Sequence, residues 1–174
     1  MKAPTVRVPC LFKGQFTFLS LADSQEHLFA LCCLTNLTEK DAWFLEGQAQ
    51  EFEQSGSNFG VLVSTDQVLG SGWVRPLQDF SLRLYIDPIS RLRRAFHLSS
   101  SLRSTRGETL IFDQDQCLRF RLIHDLNLKG MSAVLDIIHS DFLLAFTEYL
   151  IASTEHDHPD FQHTGFNALM VPTS

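Results

Sequence analysis

Sulfur and hydroxyl groups meet in one short stretch, Leu31 to Leu45, "LCCLTNLTEKDAWFL". Cys32 and Cys33 end an apolar run, and Thr35 and Thr38 follow in a Thr-x-x-Thr spacing ahead of a helical pattern. A thiol acts as nucleophile or redox centre only as the thiolate, which forms where helix amides or a cation lower its pKa. Burial works the other way, so cysteines inside an apolar strand are expected as small core residues. Neighbouring strand residues point to opposite faces with Cα atoms about 3.8 Å apart, below the usual disulfide range. Cys32 and Cys33 are therefore expected unbridged, one on each face. Threonine is a good N-cap, and Asp41, three residues after Thr38, makes "TEKD" a weakened capping box worth about 1 kcal/mol.

The other candidates are scattered. Cys10 and Cys117 lie in less patterned segments and are expected partly exposed; no C-x-x-C pair occurs, so the thiols lack metal-ligand spacing. Near the C-terminus, "HDHPD" and its surroundings bring together His156, His158, Asp160 and His163, with the H-x-D spacing of a two-histidine, one-carboxylate iron site. Such a site needs a distal histidine from later in a barrel, and only "TGFNALMVPTS" follows His163. No metal or other cofactor is expected.

The elements that would position these residues follow from periodicity. "QFTFLSL" alternates as a strand, and "HLFALCCL" is a continuous apolar run typical of a strand covered on both faces. Ala42, Leu45, Ala49 and Phe52 trace a helix over about 39–52, ended by "QSGSN". "FGVLVST" and "LRLYID" are the next strands, and "PISRLRRAFHL" a short helix with proline at its start. "ETLIFD" and "QCLRFRLIHDL" form a hairpin through "DQDQ", and "SAVLDIIHSDFLLAFTEYLIA" a long closing helix with one broad apolar stripe. Residues 1–153 are expected as one domain and 154–174 as a polar tail or linker. The order implies an α/β sandwich, a central mixed sheet with helices on both faces, for which a thioredoxin-like fold is the leading candidate.

Composition bounds the function. A chain of 174 residues, 44% hydrophobic and 20% charged, is long enough for one real core. Its net charge of −6 argues against nucleic acid or anionic lipid as main partner. The arginine-rich "RLRRAFHLSSSLRSTRG" reads equally well as a solvated helix face and loop. No apolar leader opens the sequence and no run reaches the roughly 18 apolar residues of a membrane span, so a reducing, cytoplasmic setting with free thiols is expected.

Several segments resemble the peroxiredoxins, the alkyl-hydroperoxide-reductase and thiol-specific-antioxidant branch of the thioredoxin superfamily. "VLVSTD" is similar to the family's "GVSVD" strand, "YIDPISRLRRAFHL" to its "ADPTGEISRAYGV", and "ETLIFDQDQCLRFRLI" to its "ATFVIDPKGVLRQI". In the family a buried strand leads into Pro-x-x-x-Thr-x-x-Cys, with an acidic residue three positions on. By this resemblance Thr35 matches the threonine, Thr38 stands where the peroxidatic cysteine would be, Asp41 takes the acid's place, and Arg106 is the nearest match to the peroxide-binding arginine, offset by one residue.

An alcohol cannot form the sulfenic acid on which peroxide reduction turns. The resemblance therefore implies a peroxiredoxin-like domain without the peroxidatic thiol, acting as an interaction or regulatory module. The alternative is a thiol-dependent oxidoreductase or peroxidase using Cys32, Cys33, Cys10 or Cys117. A homodimer or another protein partner is expected from the family's habit, from the apolar face of the last helix and from "ALMV" near the C-terminus.

Overall fold

The computed structural model describes residues 2–23, 28–63, 81–87, 89–98 and 105–140. The tail residues His156, His158, Asp160 and His163, the second half of the expected closing helix and the expected boundary at residue 153 lie outside the described residues.

Among the described residues seven strands form one mixed sheet: β1 (Arg7–Phe12), β2 (Gln15–Ser20), β3 (Leu28–Leu34), β4 (Ser57–Val63), β5 (Arg83–Ile86), β6 (Arg106–Phe112) and β7 (Leu118–Asp125), in the order β2-β1-β5-β4-β3-β6-β7. The apolar run of β3 takes the interior of the sheet, parallel to β4 on one side and antiparallel to β6 on the other. A parallel neighbour requires a crossover, and α1 (Glu39–Gln54) supplies it between β3 and β4. The expected hairpin through "DQDQ" joins β6 to β7, where Asp113 accepts the Cys117 amide on its side chain at 2.7 Å.

Helices cover both faces, as expected. Ala42, Leu45, Ala49 and Phe52 of α1 pack with Ala30, Cys32 and Leu34 of β3 on one face. The same face receives Met131, Val134 and Ile138 of a helix over 128–140, labelled α3. On the other face Phe29, Leu31 and Cys33 meet Leu92 and Phe96 around α2 (Arg91–Ala95). Full burial of a side chain such as Phe52 contributes about 1.5–3 kcal/mol, which makes these clusters the main source of stability.

Three local features depart from the sequence reading. β1 was not foreseen: Lys13 and Gly14, at φ of 49° and 69°, turn the chain tightly enough to pair β1 with β2, and β1 also pairs with β5. Cys10 is therefore a fully buried strand residue, which corrects the expected partial exposure. The closing helix starts at 128 and not at Ser132, because Asn127 caps it by accepting the Gly130 amide on its side chain at 2.9 Å. α2 starts at Arg91, past the proline. Asp87 substitutes for a cap there, its carboxylate accepting the amides of Arg91, Leu92 and Arg93 at 2.8, 2.7 and 3.1 Å.

Candidate functional site

The chain leaves β3 at Leu34 and enters α1 at Glu39, so the intervening loop fixes where Thr35 and Thr38 stand. Leu37 is buried and anchors the loop, while Thr38 holds an extended backbone with φ of −91° and ψ of 163°. The Thr38 hydroxyl accepts the Asp41 amide at 3.2 Å and donates to Asp41 Oδ2 at 2.6 Å. The same carboxylate oxygen accepts the Thr38 amide at 3.2 Å. This is the complete reciprocal capping box, stronger than the weakened form expected from "TEKD". With its proton held on a carboxylate and its lone pair on an amide, the Thr38 oxygen serves the helix end.

Beside this cap lies an open cleft of about 680 Å³. Thr38, Lys40, Asp41 and Phe44 line it from α1; Thr105 and Leu126 come from either end of the β6–β7 hairpin; Asn127, Leu128 and Lys129 come from the start of α3. The Leu126 amide donates to the Thr105 carbonyl at 2.8 Å and holds these two walls together. Arg106 is not among the lining residues: its guanidinium pairs with Asp125 at 3.2 Å on the surface, both side chains more than half exposed. Thr35, half-buried in the loop, does not line the cleft either.

No cysteine lines the cleft among the described residues. Cys32 and Cys33 point to opposite faces of the sheet, as their adjacency requires. Burial pushes the Cys10 thiol up to about 12, with the Arg83 charge opposing it. Burial likewise pushes Cys32 up to about 12, offset in part by a hydrogen bond with Thr109. Cys33 is pushed up by burial first and by Cys32 and Glu108 second. A thiol held protonated in this way is a poor nucleophile and a poor metal ligand. Cys117, the one partly exposed thiol, sits at the end of the β6–β7 turn, in a bridge with Lys2. Among the described residues no group of three His, Cys, Asp or Glu side chains could hold a metal. No helix among them is long and apolar enough to cross a membrane.

Polar groups that sequence reasoning overlooked lie inside the fold. Glu108 is buried in β6 beside Cys33 and is bound by Arg121 of β7, which also donates to the carbonyls of Phe96 and His97 at 3.3 and 2.9 Å. Arg93, buried in α2, donates to the Leu34 carbonyl at 3.0 Å, at the end of the strand that leads to the cleft. On the opposite face Thr109 and His124 share a hydrogen bond. Glutamate within "ETLIF" and arginine inside a short helix were the available signals, since charged residues inside apolar elements must find partners.

No family model and no curated protein matches this sequence. Solved structures do match. The mitochondrial 2-Cys peroxiredoxin of Plasmodium falciparum superimposes with a TM-score of 0.63 at 14% identity, over 81% of this chain and 94% of that one. The 2-Cys peroxiredoxin of Plasmodium vivax, in its reduced form, gives 0.65 at 11% identity, over 85% and 97%. AhpC of Enterococcus faecalis gives 0.66 at 11% identity, over 93% and 97%. Identity this low speaks for the fold alone: the chain has a thioredoxin-like α/β fold, its seven-stranded mixed sheet similar to that of these peroxiredoxin structures.

Proposed function

We propose that this peroxiredoxin-like domain lacks the peroxidatic cysteine, with Thr38 in its place, and works as a binding or regulatory module. The observation that carries the reading is the double engagement of the Thr38 hydroxyl by Asp41 at the mouth of a cleft without sulfur in its described lining. A thiolate at a helix start is what the family's chemistry needs. Three of the four thiols are buried and held protonated, which supports the same reading. The thiols suit a reducing, cytoplasmic setting, and a homodimer or other protein partner fits a module of this kind.

A thiol-dependent peroxidase remains the second reading, on the partial exposure of Cys117. Hydrogen-peroxide consumption with an added thiol reductant separates the two. The binding reading expects no turnover above the buffer rate, and mass spectrometry after mild peroxide expects slow modification, Cys117 ahead of the rest. Rapid, stoichiometric and reversible oxidation of one cysteine, with reductant-dependent turnover, would overturn it.

A further inference from the structure

We propose that the cleft between the starts of α1 and α3 binds a small amphipathic anion, a single carboxylate on an aliphatic chain. The proposal rests on the reading above that this end of the domain binds and does not react. Its volume of about 680 Å³ falls within the roughly 300–1,000 Å³ of small-molecule sites. Phe44, Leu126 and Leu128 supply an apolar wall, and Leu128 remains 65% exposed although it opens a helix. Lys40 and Lys129 supply the charge, each from the first turn of its helix. A cation in that turn faces the positive end of the helix dipole, an unfavourable place that both helices nevertheless fill on the same cleft. Asp41, the one carboxylate among the described lining residues, is engaged by the Thr38 hydroxyl and amide.

These features select the ligand by exclusion. Inorganic phosphate would leave the apolar wall uncovered, and a neutral hydrocarbon would leave two lysines unanswered in a chain whose net charge is −6. An aliphatic carboxylate covers Phe44, Leu126 and Leu128 with its chain and sets its head between the lysines. The head then gains from both helix starts as well as from the ammonium groups.

Titration of the full chain with decanoate, below its micelle concentration, tests the proposal by calorimetry and by amide chemical shifts. Saturable binding is expected, with shifts concentrated at residues 38–44 and 126–130, and with decyltrimethylammonium and inorganic phosphate binding at least tenfold more weakly. The double variant Lys40→Glu, Lys129→Glu should lose at least tenfold in decanoate affinity with an unfolding midpoint no lower than the parent's, since acidic groups suit a helix start. Leu128→Ser, at an exposed position, should weaken decanoate more than hexanoate. Absence of decanoate binding, equal binding of the cationic amphiphile, or binding only to vesicles of anionic phospholipid would overturn the proposal. Peroxide turnover is scored separately: a chain that neither turns over peroxide nor binds decanoate keeps the binding reading and loses this ligand.

Discussion

The Thr109 hydroxyl lies 2.8 Å from His124 Nε2 inside the sheet–helix interface, where both residues are buried. His124 Nδ1 lies 3.0 Å from the Asp125 carbonyl, which can only accept, so Nδ1 carries a proton. In the neutral ring Nε2 then accepts the Thr109 hydroxyl proton. Removing one partner leaves a buried polar atom unmatched, which costs about 1–3 kcal/mol, while removing both with apolar groups of similar shape costs far less. Thr109→Val should therefore lower stability by about 1–3 kcal/mol. The pair Thr109→Val, His124→Leu should cost clearly less than the sum of the singles. Urea denaturation of the four proteins in a double-mutant cycle measures the coupling, and strict additivity would show that the hydrogen bond is not formed.

Two glycines in helices have opposite surroundings and predict opposite signs. At Gly130 in α3 a Cβ would meet the Asp125 carbonyl at 2.1 Å and His124 Nδ1 at 3.0 Å. At Gly47 in α1 nothing lies within 4 Å. Alanine ordinarily stabilises a helix over glycine by about 0.5–1 kcal/mol. Gly47→Ala should show that gain as a raised unfolding temperature. Gly130→Ala should instead destabilise, because the start of α3 must lift away from the β7 carbonyl beneath it. A gain at both positions would mean that α3 does not lie so closely on the end of β7.

The capping box at Thr38 predicts a stability effect with no catalytic counterpart. Thr38→Ala removes the acceptor for the Asp41 amide and should cost about 1 kcal/mol, whereas Thr38→Ser should retain most of it. Peroxide turnover should be the same, at background, in all three proteins. Thermal unfolding gives the first result and a peroxide assay the second. A turnover that falls with Thr38→Ala would make the hydroxyl a participant in chemistry and not a cap.

Much of this architecture was legible in the sequence where one kind of pattern ran uninterrupted. "HLFALCCL" reads as a strand covered on both faces, and the spacing from Ala42 to Phe52 as an amphipathic helix. Thr38 as N-cap followed from the chemistry of the "TEKD" segment alone. What escaped was set by partners distant in sequence. β1 carries a proline and has no clean alternation, and it is a strand because β2 and β5 hold it on either side. The first turn of α3 was hidden by Gly130, whose meaning is a close backbone approach. The cleft draws on the starts of α1 and α3 and both ends of the β6–β7 hairpin, about ninety residues apart along the chain, and no local window of sequence contains it.

The buried thiols make alkaline stability a readout of the core. Cys10 and Cys32 are pushed up to about 12 from an ordinary 9.0, and Cys33 moves the same way, in each case mainly through burial. Between those limits the unfolded chain has released protons that the folded chain still holds, so stability must fall as pH rises. The contribution is fully present below pH 9 and disappears through about pH 12, with a slope of about 1.4 kcal/mol per pH unit for each thiol. Urea midpoints under reducing conditions, taken from pH 8 to pH 10.5, should decline steeply above pH 9. In Cys10→Ala, Cys32→Ala the protein should start less stable, because two buried side chains have been trimmed, yet its decline should be shallower by the share of two thiols. Equal slopes in parent and variant would mean that these thiols ionise in the folded chain as readily as in the unfolded one, and hence that water reaches β1 and β3.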